Sequence, residues 1–391
     1  MSFGEATFAA SATVVLLALV FRGRFFAIFS GVMLLVHGLA ATSLARHAGA
    51  ALPALVALHA TVFLHLGSLV WARPRSAVFK ALVQFPASFF WAGTFLATPW
   101  ALAGSAKGAF VPYVVAALGL VDSLFPRREL VVVALDGADR GALRPLKRRV
   151  LRRTDEPEGL RVAQMTDTHI GPMMTVERLR RLAEQIAKDD PDLVLLTGDF
   201  LTMESNDDPR LLAEALSPLR RLSGRVFACR GNHDLEAPRT VGAALSEVGA
   251  RLLVDELVRV GTRRGPVELL GVDFRFKDRV RALEEVFARF PRDLGVPRIA
   301  LLHDPGLFRH VPDGAADLVL SGHTHGGQLG LLWLGLPQTI LRALTRVPDH
   351  GLWAQGKNLL YVHRGTGHYG FPIRVGVPPE QGLLVLSGKG L

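Results

Sequence analysis

Apolar runs near residues 6–21, 25–45, 51–71, 79–103 and 108–125 fill the first third of the chain, separated only by short charged or Pro- and Gly-containing breaks. A bilayer-spanning helix needs about 20 apolar residues, so the spacing predicts five spans and an all-α transmembrane region over residues 1–126. The first run is the shortest, and a signal-peptide core is the competing reading for it. No clean small-residue cleavage site precedes the next run, which favours a span.

Charge divides the chain at the same place. Residues 1–126 carry seven basic side chains (Arg22, Arg24, Arg46, Arg73, Arg75, Lys80, Lys107) and two acids (Glu5, Asp122), while residues 127–391 carry the other 38 basic and 33 acidic ones. The connections after successive runs hold two, one, three and one Lys or Arg, and Arg127-Arg128 follow the last run. Placing the richer loops inside predicts an integral protein of the inner (cytoplasmic) membrane, N-terminus outside, with the C-terminal domain on the cytoplasmic side. The single Cys229 excludes an intramolecular disulfide, in keeping with that compartment.

Three histidines, His37, His59 and His65, fall inside the expected spans. Intramembrane ionisable groups suggest haem or proton handling. Hydrogen bonding between packed helices is the stronger reading, because His59 and His65 are six apart and do not stack on one helix face. Residues 127–159 read as a linker with a short β-like run, Leu130–Leu135, and a basic cluster of Lys147, Arg148, Arg149, Arg152 and Arg153. Such a cluster either sits on anionic lipid headgroups, at about 1 kcal/mol per charge, or forms a solvated face.

From residue 160 the text alternates between β and α. Leu160–Met165 ends in Thr166-Asp167-Thr168-His169; residues 175–188 show helical spacing; Leu193–Leu196 ends in Thr197-Gly198-Asp199. A helix over 209–222 and a strand over 225–229 lead to Gly231-Asn232-His233-Asp234. Ile299–Leu302 precedes His303, and Leu318–Leu320 precedes Ser321-Gly322-His323-Thr324-His325. Each polar motif thus follows a buried-type strand, where the loops of an α/β sheet converge on one crevice. Carboxylates, an amide and imidazoles without thiolates suit Mn, Fe, Zn or Ni rather than a structural zinc. Their number is enough for two divalent ions about 4 Å apart, the spacing that clamps both oxygens of an in-line displacement.

In that order, Asp-x-His, Gly-Asp, Gly-Asn-His-Asp, His and Gly-His-x-His, residues 160–388 resemble the calcineurin-like metallophosphoesterase superfamily. Single blocks such as Gly-Asp say little; the ordered set is specific. The resemblance implies a metallophosphoesterase-type β-sandwich flanked by helices over 160–391. It implies Asp167, His169 and His325 on one metal, Asn232, His303 and His323 on the other, and Asp199 bridging both. A water between the two ions is then expected to become the attacking hydroxide, leaving His233 to protonate or stabilise the leaving oxygen and Asp234 to orient its imidazole. Read alone, Asp167 would be a helix cap. His310, His350 and His363 are expected to be ordinary packing or surface residues.

Gly326-Gly327-Gln328, Gly351-Leu352-Trp353 and Leu360–Gly367 resemble the membrane-associated bacterial branch with N-terminal spans. Thr168 departs from it, since many relatives carry a larger apolar residue there. Arg364 in its Gly-rich turn either reaches a substrate phosphate or is structural. A crevice held near a leaflet predicts a lipid-linked phosphoester substrate, of phosphodiesterase or pyrophosphatase type, with membrane lipids as the surroundings. The alternative is a membrane-anchored sensor or scaffold whose phosphoesterase domain does not catalyse. No nucleic-acid partner is expected: the membrane part contributes +5 of the net +10, and the rest lacks basic and aromatic interleaving.

Overall fold

The computed structural model describes residues 2–71, 73, 75–105, 107–151, 158–368 and 374–388. They form two compact units, Met1–Ser123 with Gly370–Val375 and Leu124–Tyr369 with Gly376–Leu391.

The first unit is helical. Phe3–Phe21, Arg24–Ala45 and Gly49–Ser68, of 19, 22 and 20 residues, are apolar and long enough to cross a membrane. Ser2 and Glu5 cap the first reciprocally, each side chain bonded to the other's backbone N–H. The fourth apolar run folds as Ala77–Phe79, a π turn over Lys80–Gln84 and the helix Phe85–Leu96. Pro86, which has no N–H to give, sits where the ladder changes register. The fifth contains Val111–Asp122, 12 residues, or about 18 Å against a hydrocarbon core of about 30 Å. His37 Nε2 lies 3.0 Å from His59 Nδ1, and His59 Nε2 lies 2.9 Å from Thr7 Oγ1, so one hydrogen-bond chain links three helices.

The second unit is a sandwich of two seven-stranded sheets. In spatial order the first holds Arg149–Leu151, Arg127–Leu135, Glu380–Gly388, Leu160–Met165, Leu193–Leu196, Val226–Ala228 and Arg251–Leu252. The second holds Arg144–Pro145, Gly351–Gln355, Asn358–Val362, Leu318–Ser321, Arg298–Leu302, Gly265–Val272 and Glu256–Thr262. Period-two alternation assigns the faces. Leu193, Leu195, Ile299 and Leu301 meet between the sheets. Val194 and Leu196 pack outward on the helices Val176–Asp189, Pro209–Leu216 and Pro238–Glu247, and Ala300 and Leu302 on Arg279–Arg289. Strands covered on both faces explain the continuous apolar runs. The helix expected over 209–222 tightens to 3₁₀ at Ser217–Leu222, where Pro218 interrupts the α ladder.

The stretch expected to be a linker joins both sheets. Arg127–Leu135 pairs in parallel with Glu380–Gly388 along nine residues, and Val131, Val133 and Leu135 enter the core between the sheets. Arg144–Pro145 pairs with Trp353-Ala354 at the edge of the other sheet. Within the expected basic cluster, Lys147 and Arg149 are exposed and Arg148 bonds Glu129 at 2.5 Å; Arg152 and Arg153 lie outside the described residues.

Candidate metal centre

Leu160–Met165, Leu193–Leu196 and Val226–Ala228 run parallel, as do Gly265–Val272, Arg298–Leu302 and Leu318–Ser321. Every motif expected to supply a metal ligand follows the C-terminal end of one of these strands, and the loops interlock. Asp167 N donates to Gly198 O at 2.9 Å, His169 N to Asp199 O at 3.1 Å, and Gly322 N to His303 O at 3.0 Å. Two glycines permit this closeness. A Cβ on Gly231 would strike the Asp199 carboxylate, and one on Gly322 would strike Asp167 and Thr166.

Two triads result. Ligand atoms of Asp167, His169 and His325 lie within 4.8 Å of one another, as do those of Asp199, His303 and His323. His325 Nε2 is 3.4 Å from Asp167 Oδ1, and His303 Nε2 is 3.2 Å from Asp199 Oδ2. His169 Nε2 lies 3.7 Å from Asp199 Oδ2 and 4.0 Å from Asp167 Oδ1, so it faces both carboxylates. Asp167, His169, Asp199, His323 and His325 all adopt positive φ, between 44° and 68°. Each such non-glycine residue costs on the order of 1–3 kcal/mol, and five in one cluster mark a place where side-chain direction outweighs backbone comfort.

The donor set fits metal ions. Nδ1 of His303 lies 2.6 Å from Thr197 O and that of His169 3.4 Å from Leu201 O, contacts that turn each Nε2 into the site. Two buried atoms of the motif residues, Asn232 Oδ1 and His303 Nε2, make no hydrogen bond of good geometry. Burial holds His169 and His323 down to about 3, in the neutral form that ligates. Burial also lifts Asp167 to about 6, despite His303 and with repulsion from Asp199. For His303 burial acts the other way and is outweighed by Asp199 and Asp167, which carry it to about 10. Carboxylates this buried and this close call for compensating positive charge, which dications supply.

The two residues expected to do proton chemistry part company. His233 Nδ1 lies 3.0 Å from Glu236 Oε1, and the Glu236 and Asp199 carboxylates, overcoming burial, raise its pKa above the ordinary histidine value. Its backbone N–H donates to Asp199 Oδ1 at 2.9 Å. Asp234 holds backbone groups. Its carboxylate accepts from the N–H groups of Asp199, Phe200 and Gly231 at 2.8, 2.9 and 2.8 Å, tying the Asp199 loop to the Asn232 loop. Glu236 was missed by sequence reasoning, although its spacing of three from His233 was a usable signal. Phe274, 6.1 Å from the His303 ring and 6.2 Å from that of His323, left no sequence signal. Arg364 is structural: buried, it contacts Glu129 at 2.6 Å and Glu380 at 3.3 Å.

Residues 160–327 match the family profile described as calcineurin-like phosphoesterase. An uncharacterised metallophosphoesterase of Aquifex aeolicus is 31% identical over a match covering 60% of this chain and 88% of that protein. Phosphodiesterase YaeI of Escherichia coli is 27% identical, over 59% and 84% of the two chains. UDP-2,3-diacylglucosamine pyrophosphatase LpxG of Chlamydia trachomatis is 28% identical, over 57% and 82%. Other relatives are longer, and the match spans 60% of an uncharacterised metallophosphoesterase from Helicobacter pylori J99.

Proposed function

The chain belongs to the calcineurin-like phosphoesterases, and on that premise we propose that it is a membrane-anchored binuclear hydrolase that cleaves a phosphodiester or pyrophosphate bond of a lipid-linked substrate. The convergence of the two strained triads around Asp199 carries this reading. In it Asp167, His169 and His325 hold one divalent ion, Asn232, His303 and His323 the other, and Asp199, with two carboxylate oxygens, serves both. Two dications held by these residues would supply Lewis-acid charge for the phosphoryl group and would lower the pKa of a nearby water toward neutrality, making it the nucleophile. The protein's own part is to fix these donors on rigid strand ends and to present a protonated His233, held by Glu236, to the departing oxygen. Asp234 keeps the Asp199 and Asn232 loops in register.

The lipid-linked class draws on three apolar helices long enough to span a membrane and on the name of the Chlamydia relative. We assign residues 1–126 to anchoring in the inner membrane, with the second unit on the cytoplasmic side, from the Lys and Arg distribution. The test uses the full chain, because a start at Leu160 would remove the strand Arg127–Leu135 from its sheet. After chelation, Mn, Fe, Zn or Ni is returned and hydrolysis of a chromogenic phosphodiester followed. Metal-dependent turnover lost in Asp199→Asn and His233→Ala supports the proposal; two bound ions per chain with no turnover of any phosphoester would favour a binding-only domain.

A further inference from the structure

Beyond the metal centre, the second unit carries an apolar strap that no core explains. Six of its twelve exposed large hydrophobic side chains among the described residues fall between 331 and 344: Leu331, Trp333, Leu334, Leu336, Ile340 and Leu344. Leu334 and Leu344 are 73% and 77% exposed. The strap is nonetheless well pinned. Leu331 N donates to Gln338 O at 2.9 Å, Ile340 N to Leu329 O at 2.8 Å, Gly330 bridges Thr339, and the Thr339 hydroxyl is bonded to Asp349. A fixed backbone that directs this much apolar surface outward is built for a surface to meet it.

Chemistry selects the occupant. Residues 329–347 include Arg342 and Arg346 and no acid, the pairing of apolar reach and positive charge that suits an anionic leaflet, with Trp333 of the type found at membrane interfaces. The same chain carries three helices able to cross a membrane, and only residues 123–126 separate the last apolar helix from the strand that begins at Arg127. The strap also borders the metal centre: Leu341 and Val347 line a cleft of about 600 Å³ with Leu307, His323 and the Arg279–Asp304 ion pair.

We propose that the 331–344 strap docks into the anionic leaflet, so that the cleft beside His323 opens toward lipid acyl chains. The docking stands on the strap alone, and the acyl route rests on the phosphoesterase reading given above. The test places an environment-sensitive fluorophore at Leu334→Cys in the full chain; Cys229 is fully buried. Leu294→Cys, 85% exposed and at the opposite strand end from His303, is the control. The labelled proteins are placed in nanodiscs of phosphatidylcholine and phosphatidylglycerol, with and without brominated acyl chains. Docking at a depth of about 5–10 Å gives a blue-shifted, bromine-quenched signal at position 334 and none at 294. Equal responses at the two positions overturn it, and so does a blue shift without bromine quenching, which would mean a protein cover. Leu334→Asp with Leu344→Asp should raise KM for a bilayer diacyl phosphodiester about tenfold, as lost apolar insertion does, and spare a soluble chromogenic diester. Quenching with no turnover of any lipid phosphoester would keep the docking and remove the lipid-substrate reading.

Discussion

Both units bury a cluster of histidines, and they use it differently. In the helical unit His37 and His59 bond to each other and to Thr7, in a chain between regular helices with no carboxylate among these contacts. In the sandwich, His169, His303, His323 and His325 sit among Asp167 and Asp199, three of the four at positive φ, and His303 turns its Nε2 toward Asp199. Buried histidine is therefore not a signal by itself. Its company, and the strain accepted to aim it, separate helix glue from a metal centre.

Mutations put the contrast under load. Asp199→Asn removes the carboxylate that both triads face, and should lower kcat/KM by about 1,000-fold or more, measured with metal in excess. A loss of less than tenfold would break the two-triad account. Glu380→Gln probes a third kind of buried site, where Arg364 N, the Tyr361 hydroxyl and the Arg364 guanidinium all meet one carboxylate. Breaking such a pair should destabilise the unit by about 3 kcal/mol and leave kcat within about twofold, since no part of it reaches the reacting atoms. Against burial, His363, Arg364 and Arg148 bring Glu380 from 4.5 down to about 2. A depressed carboxyl contributes stability that is complete above pH 4.5 and fades as pH falls toward 2. Denaturation midpoints should follow that window in the wild type and flatten in Glu380→Gln.

His233→Ala should cost about 100-fold or more in kcat, and Glu236→Gln about tenfold through the imidazole it holds. The leaving group discriminates between roles: a substrate with a good leaving group should rescue His233→Ala and leave Asp199→Asn inactive. The smallest effect belongs to the helical unit. His59→Ala should destabilise it by about 1–2 kcal/mol, read as a lower thermal midpoint in detergent, and leave metal-dependent turnover unchanged. A loss of turnover would couple the two histidine clusters and undo the comparison.

The candidate site was largely legible because its residues sit in short segments, each fixed by a local strand-to-loop change, and glycines 198, 231 and 322 announce the tight approaches. The strands were legible from runs such as Leu193–Leu196, buried on both faces, and their arrangement as a sandwich only through the family resemblance. What escaped depends on distant pairing or competition. Arg127–Leu135 looked like linker because its partner, Glu380–Gly388, lies at the other end of the chain. The hold of Asp234 on three backbone N–H groups has no sequence signature, because folding brings those donors in. The 331–344 strap read as unremarkable apolar text, since only the fold shows those side chains left outside the core.

Electron paramagnetic resonance of the Mn(II)-loaded full chain tests the central claim most directly. Two ions sharing Asp199 give an exchange-coupled spectrum that Asp199→Asn abolishes, with two Mn bound per wild-type chain. An isolated six-line signal at full loading, unchanged by Asp199→Asn, would contradict a shared two-metal centre.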